Sequence, residues 1–139
     1  MRLVLAVSLM AVIFSGCQTP AKIEAQKKAE TDYEVDLELH CMDLEDNGKA
    51  QTATNIRNKR FSIGMTKLDV IYALRLVGSE SSGLYSSKPG AFRYGSEQVD
   101  VNKTVTRYGT RTQWVMPDRY TNPTYLYFDG GILESWQGN

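Results

Sequence analysis

The chain contains few of the side chains on which enzyme and metal sites are commonly built. Its 139 residues include one histidine, His40, and two cysteines, Cys17 and Cys41. A zinc or haem site needs more of these ligands than the chain offers, so no metal and no cofactor is expected. The sequence also has no phosphate-binding glycine loop and no Gly-x-Ser-x-Gly motif. We therefore do not expect an enzyme.

An excess of charge of one sign is also missing. Lys and Arg number 16, Asp and Glu number 16, and the formal net charge at pH 7 is zero. Nucleic-acid binding depends on clustered positive charge, and the sequence has no basic stripe. No nucleic-acid partner is expected, and the length suits one modest domain.

Long hydrophobic runs are absent as well, and the one apolar run is short and N-terminal. After Arg2, residues 3–14 are apolar or small, and Ser15, Gly16 and Cys17 follow. A helix of about 12 residues spans only ~18 Å, well short of a hydrocarbon core of ~30 Å. A basic residue, a short apolar run and small residues in this order are typical of an export signal.

The cysteine that ends this run resembles the lipobox of bacterial lipoproteins. In that class the thiol is diacylated, the signal before it is removed, and the new amino terminus is usually acylated too. The resemblance implies a signal peptide over residues 1–16 and a lipid on Cys17 that holds the chain on a membrane. Gln18 resembles an outer-membrane address, because aspartate at that position retains such proteins at the inner membrane. A secretory signal cut elsewhere and an uncleaved anchor are the alternatives.

Residues 17–32 are interpreted as a solvated tether that precedes a domain over residues 33–139. The tether contains helix formers without a convincing apolar face, so at most a short, frayed helix is expected. Residues 33–41 alternate strictly between apolar and polar, which predicts a half-buried strand with Cys41 on its apolar side. The Cys41 thiol is expected to be buried, with an intermolecular disulfide as the alternative. Residues 49–60 are expected to form a loop or a short marginal helix.

The clearest local signal predicts a helix over residues 67–77. Thr66 precedes an apolar-periodic run and Asp69 follows three residues later, which is the spacing of a capping box. Gly78 is expected to be the left-handed residue that ends the helix. The stripe expected to face a sheet consists of Val70, Ile71, Leu74 and Val77.

Short strand-like segments make up most of the remaining chain, over residues 91–94, 99–108, 111–116, 124–128 and 132–137, with turn-rich loops at 79–90 and 117–123. Gly109 separates two of the segments and suggests a hairpin. Asp129, Gly130 and Gly131 separate the last two and strongly indicate another. The predicted fold class is α+β, with one or two short helices packed on a small antiparallel sheet, helix first and then a β-meander.

These segments carry a family resemblance. Ile63-Gly64-Met65-Thr66-Lys67-Leu68-Asp69-Val70, followed by Leu74 and Gly78, resembles the opening motif of the SmpA/OmlA family of small outer-membrane lipoproteins. Later strand motifs of the family correspond to Gln113-Trp114-Val115 and Tyr127-Phe128-Asp129-Gly130-Gly131-Ile132-Leu133. The resemblance covers residues 61–137. It implies one or two helices followed by a three-stranded antiparallel sheet. It also implies an envelope protein as partner, because the family is typified by the smallest accessory subunit of the β-barrel assembly machine.

The motif residues are expected to serve folding. Gly64 is expected to allow a tight approach before the helix, Met65 to pack beneath it, and Thr66 to cap its exposed amides. The structural set comprises Gly64, Met65, Thr66, Asp69, Val70 and Gly78.

With no catalytic or metal site expected, a binding surface is the remaining candidate for a functional site. The aromatic residues expected to bind a partner are Tyr94, Tyr108, Trp114, Tyr125, Tyr127 and Trp136, with Arg93, Arg107, Arg111 or Arg119 at their rim. Core packing is the alternative for most of these aromatics. Alternation places Tyr125 and Tyr127 on one face of their strand and Leu126 and Phe128 on the other.

The expected function is that of a lipid-anchored envelope protein at the outer membrane, facing the periplasm. Its role would be non-enzymatic protein binding or scaffolding, for example in outer-membrane assembly or integrity. The alternative is an inhibitor-like module that occludes an envelope or exogenous enzyme, as secreted β-lactamase-inhibitor proteins of related fold do with their sheet surface. A hydrolase would need paired acids, which Asp100, Asp118, Asp129 and Glu134 would supply only by converging in the fold.

Overall fold

A computed structural model describes residues 19–78, 92–95, 97–117 and 124–138. The predicted signal peptide, Cys17 and most of the two predicted loops lie outside these residues. The chain divides into two units, Met1–Val35 and Asp36–Asn139. In the described part of the chain, three helices precede a set of antiparallel strands. The predicted α+β class, with helices before a β-meander, is confirmed, although one or two helices were predicted.

The first helix, α1, runs over Pro20–Asp46 and replaces two predicted features. Residues 20–35 are helical and almost all exposed, where a tether with a short helix was predicted. Local side-chain bonds link successive turns of this part, such as the 3.2 Å bond from Gln26 Nε2 to Glu30 Oε1. The predicted strand over residues 33–41 is wrong, because these residues are also part of α1.

The error at residues 33–41 has a simple geometrical origin. Tyr33, Leu37 and Cys41 are spaced by four residues, so they share a face in a helix as well as in a strand. In the second unit, Leu37, Cys41 and Leu44 are buried, whereas Leu39 is exposed. Leu39 is apolar although it faces solvent. It therefore continues the strand-like alternation of apolar and polar residues and hides the helical spacing of the buried ones.

A tight turn leads from α1 to the second helix, α2, over Ala50–Arg57. Gly48 has a φ of +77°. Its N–H donates to the carbonyl of Glu45, and the N–H of Lys49 donates to that of Leu44. This pair of bonds is a Schellman motif, which requires a left-handed residue and therefore favours glycine. The helical alternative predicted for residues 49–60 is thus the observed one.

Two contacts hold the end of α1 against α2. The Arg57 guanidinium donates to both Glu38 and Glu45 of α1. The buried Cys41 thiol lies 3.8 Å from the carbonyl oxygen of Ala53. Burial of Cys41 was predicted and is confirmed, although the residue belongs to a helix.

The third helix, α3, covers Lys67–Leu74 and begins as predicted. The side-chain oxygen of Thr66 accepts from the Asp69 N–H, and Asp69 Oδ2 accepts from the Thr66 N–H at 2.8 Å. The helix ends earlier than predicted. Arg75, at φ +56°, is its left-handed terminal residue, so the prediction that Gly78 ends the helix is wrong. The apolar stripe predicted to face the sheet is also partly wrong. Val77 belonged to it but is exposed, and the buried residues are Val70, Ala73 and Leu76.

Among the described residues six strands follow, close to the predicted segments. A small sheet pairs β1 (Arg93–Tyr94) with β2 (Glu97–Gln98). A four-stranded antiparallel sheet contains β3 (Asp100–Thr106), β4 (Gly109–Met116), β5 (Thr124–Asp129) and β6 (Ile132–Gln137) in that spatial order. Both predicted hairpins are present, β3–β4 and β5–β6. The sheet has one strand more than the family resemblance implies.

The motif before α3 attaches to the last hairpin by backbone hydrogen bonds. The Gly64 N–H donates to the Leu133 carbonyl at 2.8 Å, and the Leu133 N–H donates to the Met65 carbonyl at 2.8 Å. Gly64 has a φ of +93°, and a Cβ placed there would meet no atom within 4 Å. The glycine therefore serves the backbone conformation, and the tight approach predicted for it is wrong. Met65 is buried as predicted.

Candidate binding surface

The four-stranded sheet presents two chemically different faces. The covered face carries one cross-strand row of Val101, Trp114, Leu126 and Trp136, and a second of Lys103, Thr112, Phe128 and Leu133. Most of these side chains are buried. We call the opposite side the open face. Its rows are Asn102, Gln113, Tyr127 and Ser135, then Thr104, Arg111, Asp129 and Ile132, then Asp100, Val115, Tyr125 and Gln137.

Trp114 was predicted to bind a partner, and the structure corrects this. Its side chain is fully buried. The ring centroid lies 4.9 Å from that of Phe92 and 4.4 Å from that of Phe128. Trp114 therefore belongs to the aromatic centre of the core. The sequence predicted a strand at this position, but a strand pattern does not reveal which of the two faces the helices cover.

The middle row of the open face is a hydrogen-bonded ladder. Asn102 Nδ2 donates to Gln113 Oε1 at 2.9 Å, and Gln113 Nε2 donates to the Tyr127 hydroxyl oxygen at 3.3 Å. Asn102 and Ser135 are exposed, whereas Gln113 and Tyr127 are half-buried. The ladder fixes the rotamers of three polar side chains in advance, which lowers the entropy that a bound partner must remove. Sequence reasoning did not identify Asn102 and Gln113 as site residues, because their pairing depends on the register between strands.

The neighbouring row carries the charges of the open face. Arg111 is exposed and lies directly opposite Asp129 in the register of β4 and β5. Within the described residues neither side chain has an ion-pair partner. A shallow depression of about 470 Å³ adjoins them and is lined by Thr104, Thr106, Tyr108, Gly109, Arg111 and Asp129.

The end of the β3–β4 hairpin, residues 105–109, which we call the tip, carries the two most exposed of the large apolar side chains in the described part of the chain. Tyr108 is 83% exposed and Val105 is 79% exposed. The Arg107 guanidinium lies over the Tyr108 ring, 4.6 Å from its centroid. Tyr108 was predicted as a partner-binding residue and Arg107 as part of its rim, and the structure brings the two into contact.

The remaining predicted aromatics are divided between the faces. Tyr125 and Tyr127 lie half-buried on the open face, and Leu126 and Phe128 are buried on the other side, as predicted. Tyr94 is exposed on the small sheet. Trp136 lies at the margin of the covered face, where its ring meets Phe61 edge-on at 5.8 Å between centroids.

The histidine has a structural position that sequence reasoning missed. His40 Nε2 donates to Asp69 Oδ1 at 2.7 Å, and its ring lies 5.1 Å from that of Tyr72. This bond ties α1 to the capping box of α3. No local pattern reveals it, because the two residues are 29 positions apart.

Several ionisable side chains where α1 meets α2 also take part in contacts between the two helices. The Arg57 hydrogen bonds lower the pKa of Glu38 and that of Glu45. Burial raises the pKa of the Cys41 thiol, which disfavours the reactive thiolate. These groups link α1 to α2.

Asp100 and Asp129, two of the acids considered for a hydrolase, do not converge. Asp100 lies in the row of Tyr125, and Asp129 lies four residues further along β5. At about 3.4 Å per residue, the two carboxylates are roughly 14 Å apart along the strands alone. Over the described ranges, no three His, Cys, Asp or Glu residues form a group that could hold a metal ion.

None of the described helices combines the length and the apolar composition needed to cross a bilayer.

Comparison of the chain with protein-family models, with curated proteins and with solved structures finds no match.

Proposed function

We propose that this chain is a lipid-anchored envelope protein that holds a protein partner and catalyses no reaction. The anchor is a lipid on Cys17, and the chain faces the periplasm from the outer membrane. The single observation that carries the binding role is the open face, a sheet surface with a preformed polar ladder and two half-exposed tyrosines, Tyr125 and Tyr127.

The composition of the open face supports binding to a protein. Tyrosine and arginine are enriched among the residues that dominate interface energies, and Tyr127 and Arg111 occupy adjacent rows. The ordered amides of Asn102 and Gln113 offer further hydrogen bonds. Such a surface combines flat contact area with fixed polar groups, as stable interfaces do.

The resemblance to SmpA/OmlA proteins supports an envelope setting. Its opening motif here has a physical role, since Gly64 and Met65 bond to Leu133, and Thr66 caps α3. The export signal and the cysteine that follows it support the lipid anchor. Outer-membrane assembly or integrity is the process proposed on this basis.

An inhibitor-like module is the second candidate. The exposed tip favours it, because a protruding hairpin with Tyr108 and Arg107 can enter the cleft of an enzyme. The captured partner distinguishes the two functions. An outer-membrane assembly component would support the first, and a soluble hydrolase would support the second.

Site-specific photo-crosslinking in cells tests the binding role. A photoreactive residue in place of Tyr127 is expected to give one discrete protein adduct. The matched control is Gln51, an exposed position on α2, where no such adduct is expected. Equal adduct patterns at the two positions, or none at Tyr127, would contradict the proposal.

A further inference from the structure

The tip is held in one conformation by its own side chains. Thr106 Oγ1 donates to the Gly109 carbonyl at 3.1 Å and accepts from the Tyr108 N–H at 3.2 Å. These two bonds close the turn across Arg107 and Tyr108. A turn closed in this way loses little further freedom when a partner binds it.

Two side chains of the tip form a preassembled pair. The Arg107 guanidinium lies 4.6 Å from the centroid of the Tyr108 ring, within the range of a cation–π interaction. Val105 is exposed two residues before Arg107. Tyrosine and arginine are among the residue types enriched at interface hot spots.

Two arginines, Arg107 and Arg111, lie at or beside the tip. Asp129 lines the adjoining depression, and Glu134 lines a neighbouring depression that also includes Arg111. Within the described part of the chain, Arg111 and Asp129 form no ion pair, although they are opposite in register. A carboxylate from outside can therefore approach Arg111 between the Thr104 and Thr106 side chains that line the same depression.

We propose that the tip is the anchor of the partner interface, and that it inserts Tyr108 into an apolar pocket with an acidic rim on the partner protein. Carboxylates of that rim meet Arg107 and Arg111. This inference deepens the proposed function and rests on it. A second copy of this chain is a poor occupant, because two tips would bring four arginines together. An anionic bilayer is also a poor occupant, since a layer of headgroups would leave the shaped depression unused.

The experiment uses the full-length, lipidated protein in cells. A photoreactive residue replaces Tyr108 in one variant and Tyr127 in another, and Gln51 is again the control position. Each is combined with Arg107→Glu, with Arg111→Glu, or with the neutral Arg107→Gln and Arg111→Gln. The expected result is one protein adduct at position 108. Its yield should fall at least tenfold with each charge reversal and much less with glutamine.

A charge swap makes the result specific. Mass spectrometry of the adduct should locate the cross-link near an Asp or Glu of the partner. Changing that carboxylate to Lys should restore capture by the Arg107→Glu or the Arg111→Glu variant. Restoration supports the proposed rim, and failure of every swap overturns it.

The other outcomes separate this inference from the proposed function. An adduct at position 127 without one at 108 overturns the tip as anchor and leaves the open-face binding role standing. The absence of adducts at both positions overturns both. A lipid adduct, an adduct with a second copy, or an adduct that is insensitive to charge reversal overturns the inference. Circular dichroism of each purified variant verifies that the exposed substitutions leave the fold intact.

Discussion

Asp69 offers the sharpest test of how the helices are held together. The residue is 4% exposed, its Oδ2 accepts the Thr66 N–H at 2.8 Å, and its Oδ1 accepts His40 Nε2–H at 2.7 Å. Loss of a capping interaction costs about 1 kcal/mol. Loss of a hydrogen bond to a charged group costs about 1.5–3 kcal/mol more. Asp69→Ala is therefore expected to lower the free energy of unfolding by roughly 2.5–4 kcal/mol.

Urea unfolding of the detergent-solubilised full chain, followed by far-ultraviolet circular dichroism, measures this change. Asp100→Ala is the matched control, because Asp100 is exposed on the open face, and it should lie within about 0.5 kcal/mol of wild type. A double-mutant cycle with His40→Ala should give a coupling energy above about 0.5 kcal/mol. Equal costs for Asp69→Ala and Asp100→Ala, or a coupling near zero, would refute the reasoning.

Three further predictions concern the helix ends, the ion-pair cluster and the core. Lys59 and Arg75 share a φ of +56°, but the Arg75 guanidinium donates to the carbonyls of Ile56 and Tyr72. Lys59→Gly should therefore raise the free energy of unfolding by about 0.5–1 kcal/mol, while Arg75→Gly should not, and equal gains in urea unfolding would contradict this. Arg57 lowers the pKa of Glu38 and Glu45 below the ordinary 4.5, so its contribution to stability is present above that pH and is lost as the pH falls through the lowered values. The Tm difference between wild type and Arg57→Ala should be present at pH 7 and vanish in strong acid, and a difference independent of pH would contradict the assignment. Trp114→Ala should cost about 3–5 kcal/mol and Tyr108→Ala less than about 0.5 kcal/mol in urea unfolding, and similar costs for both would mean that the core is wrongly assigned.

Local signals account for the parts of the fold that the sequence predicted well. The capping box spans four residues, from Thr66 to Asp69, and the Asp129-Gly130-Gly131 turn spans three. Both depend only on backbone geometry near the residues concerned. The start of α3 and the last hairpin could therefore be placed before any tertiary contact was known.

Features that depend on distant contacts could not be predicted in this way. Residues 33–41 fit a strand and a helix equally well at their shared apolar positions, and only packing against α2 decides between them. The burial of Trp114 depends on which sheet face the helices cover. The bond from His40 to Asp69 joins two helices, so no local pattern signals it.

The candidate site shows the same division. Alternation correctly placed Tyr125 and Tyr127 on one face, and composition singled out Tyr108 with its neighbouring arginine. The polar ladder needed the register of β3, β4 and β5, which fixes Asn102 opposite Gln113 and Gln113 opposite Tyr127. The register between strands is a tertiary property, so the ladder could be recognised only once the sheet was known.

The proposed role requires a binding domain that is held at a membrane, so the lipid at Cys17 is its central requirement. Metabolic labelling with a palmitate analogue, applied to cells that produce wild type or Cys17→Ala, measures this modification. We expect label on the membrane-bound wild-type protein and none on Cys17→Ala. Unlabelled wild type, or label that persists in Cys17→Ala, would contradict it.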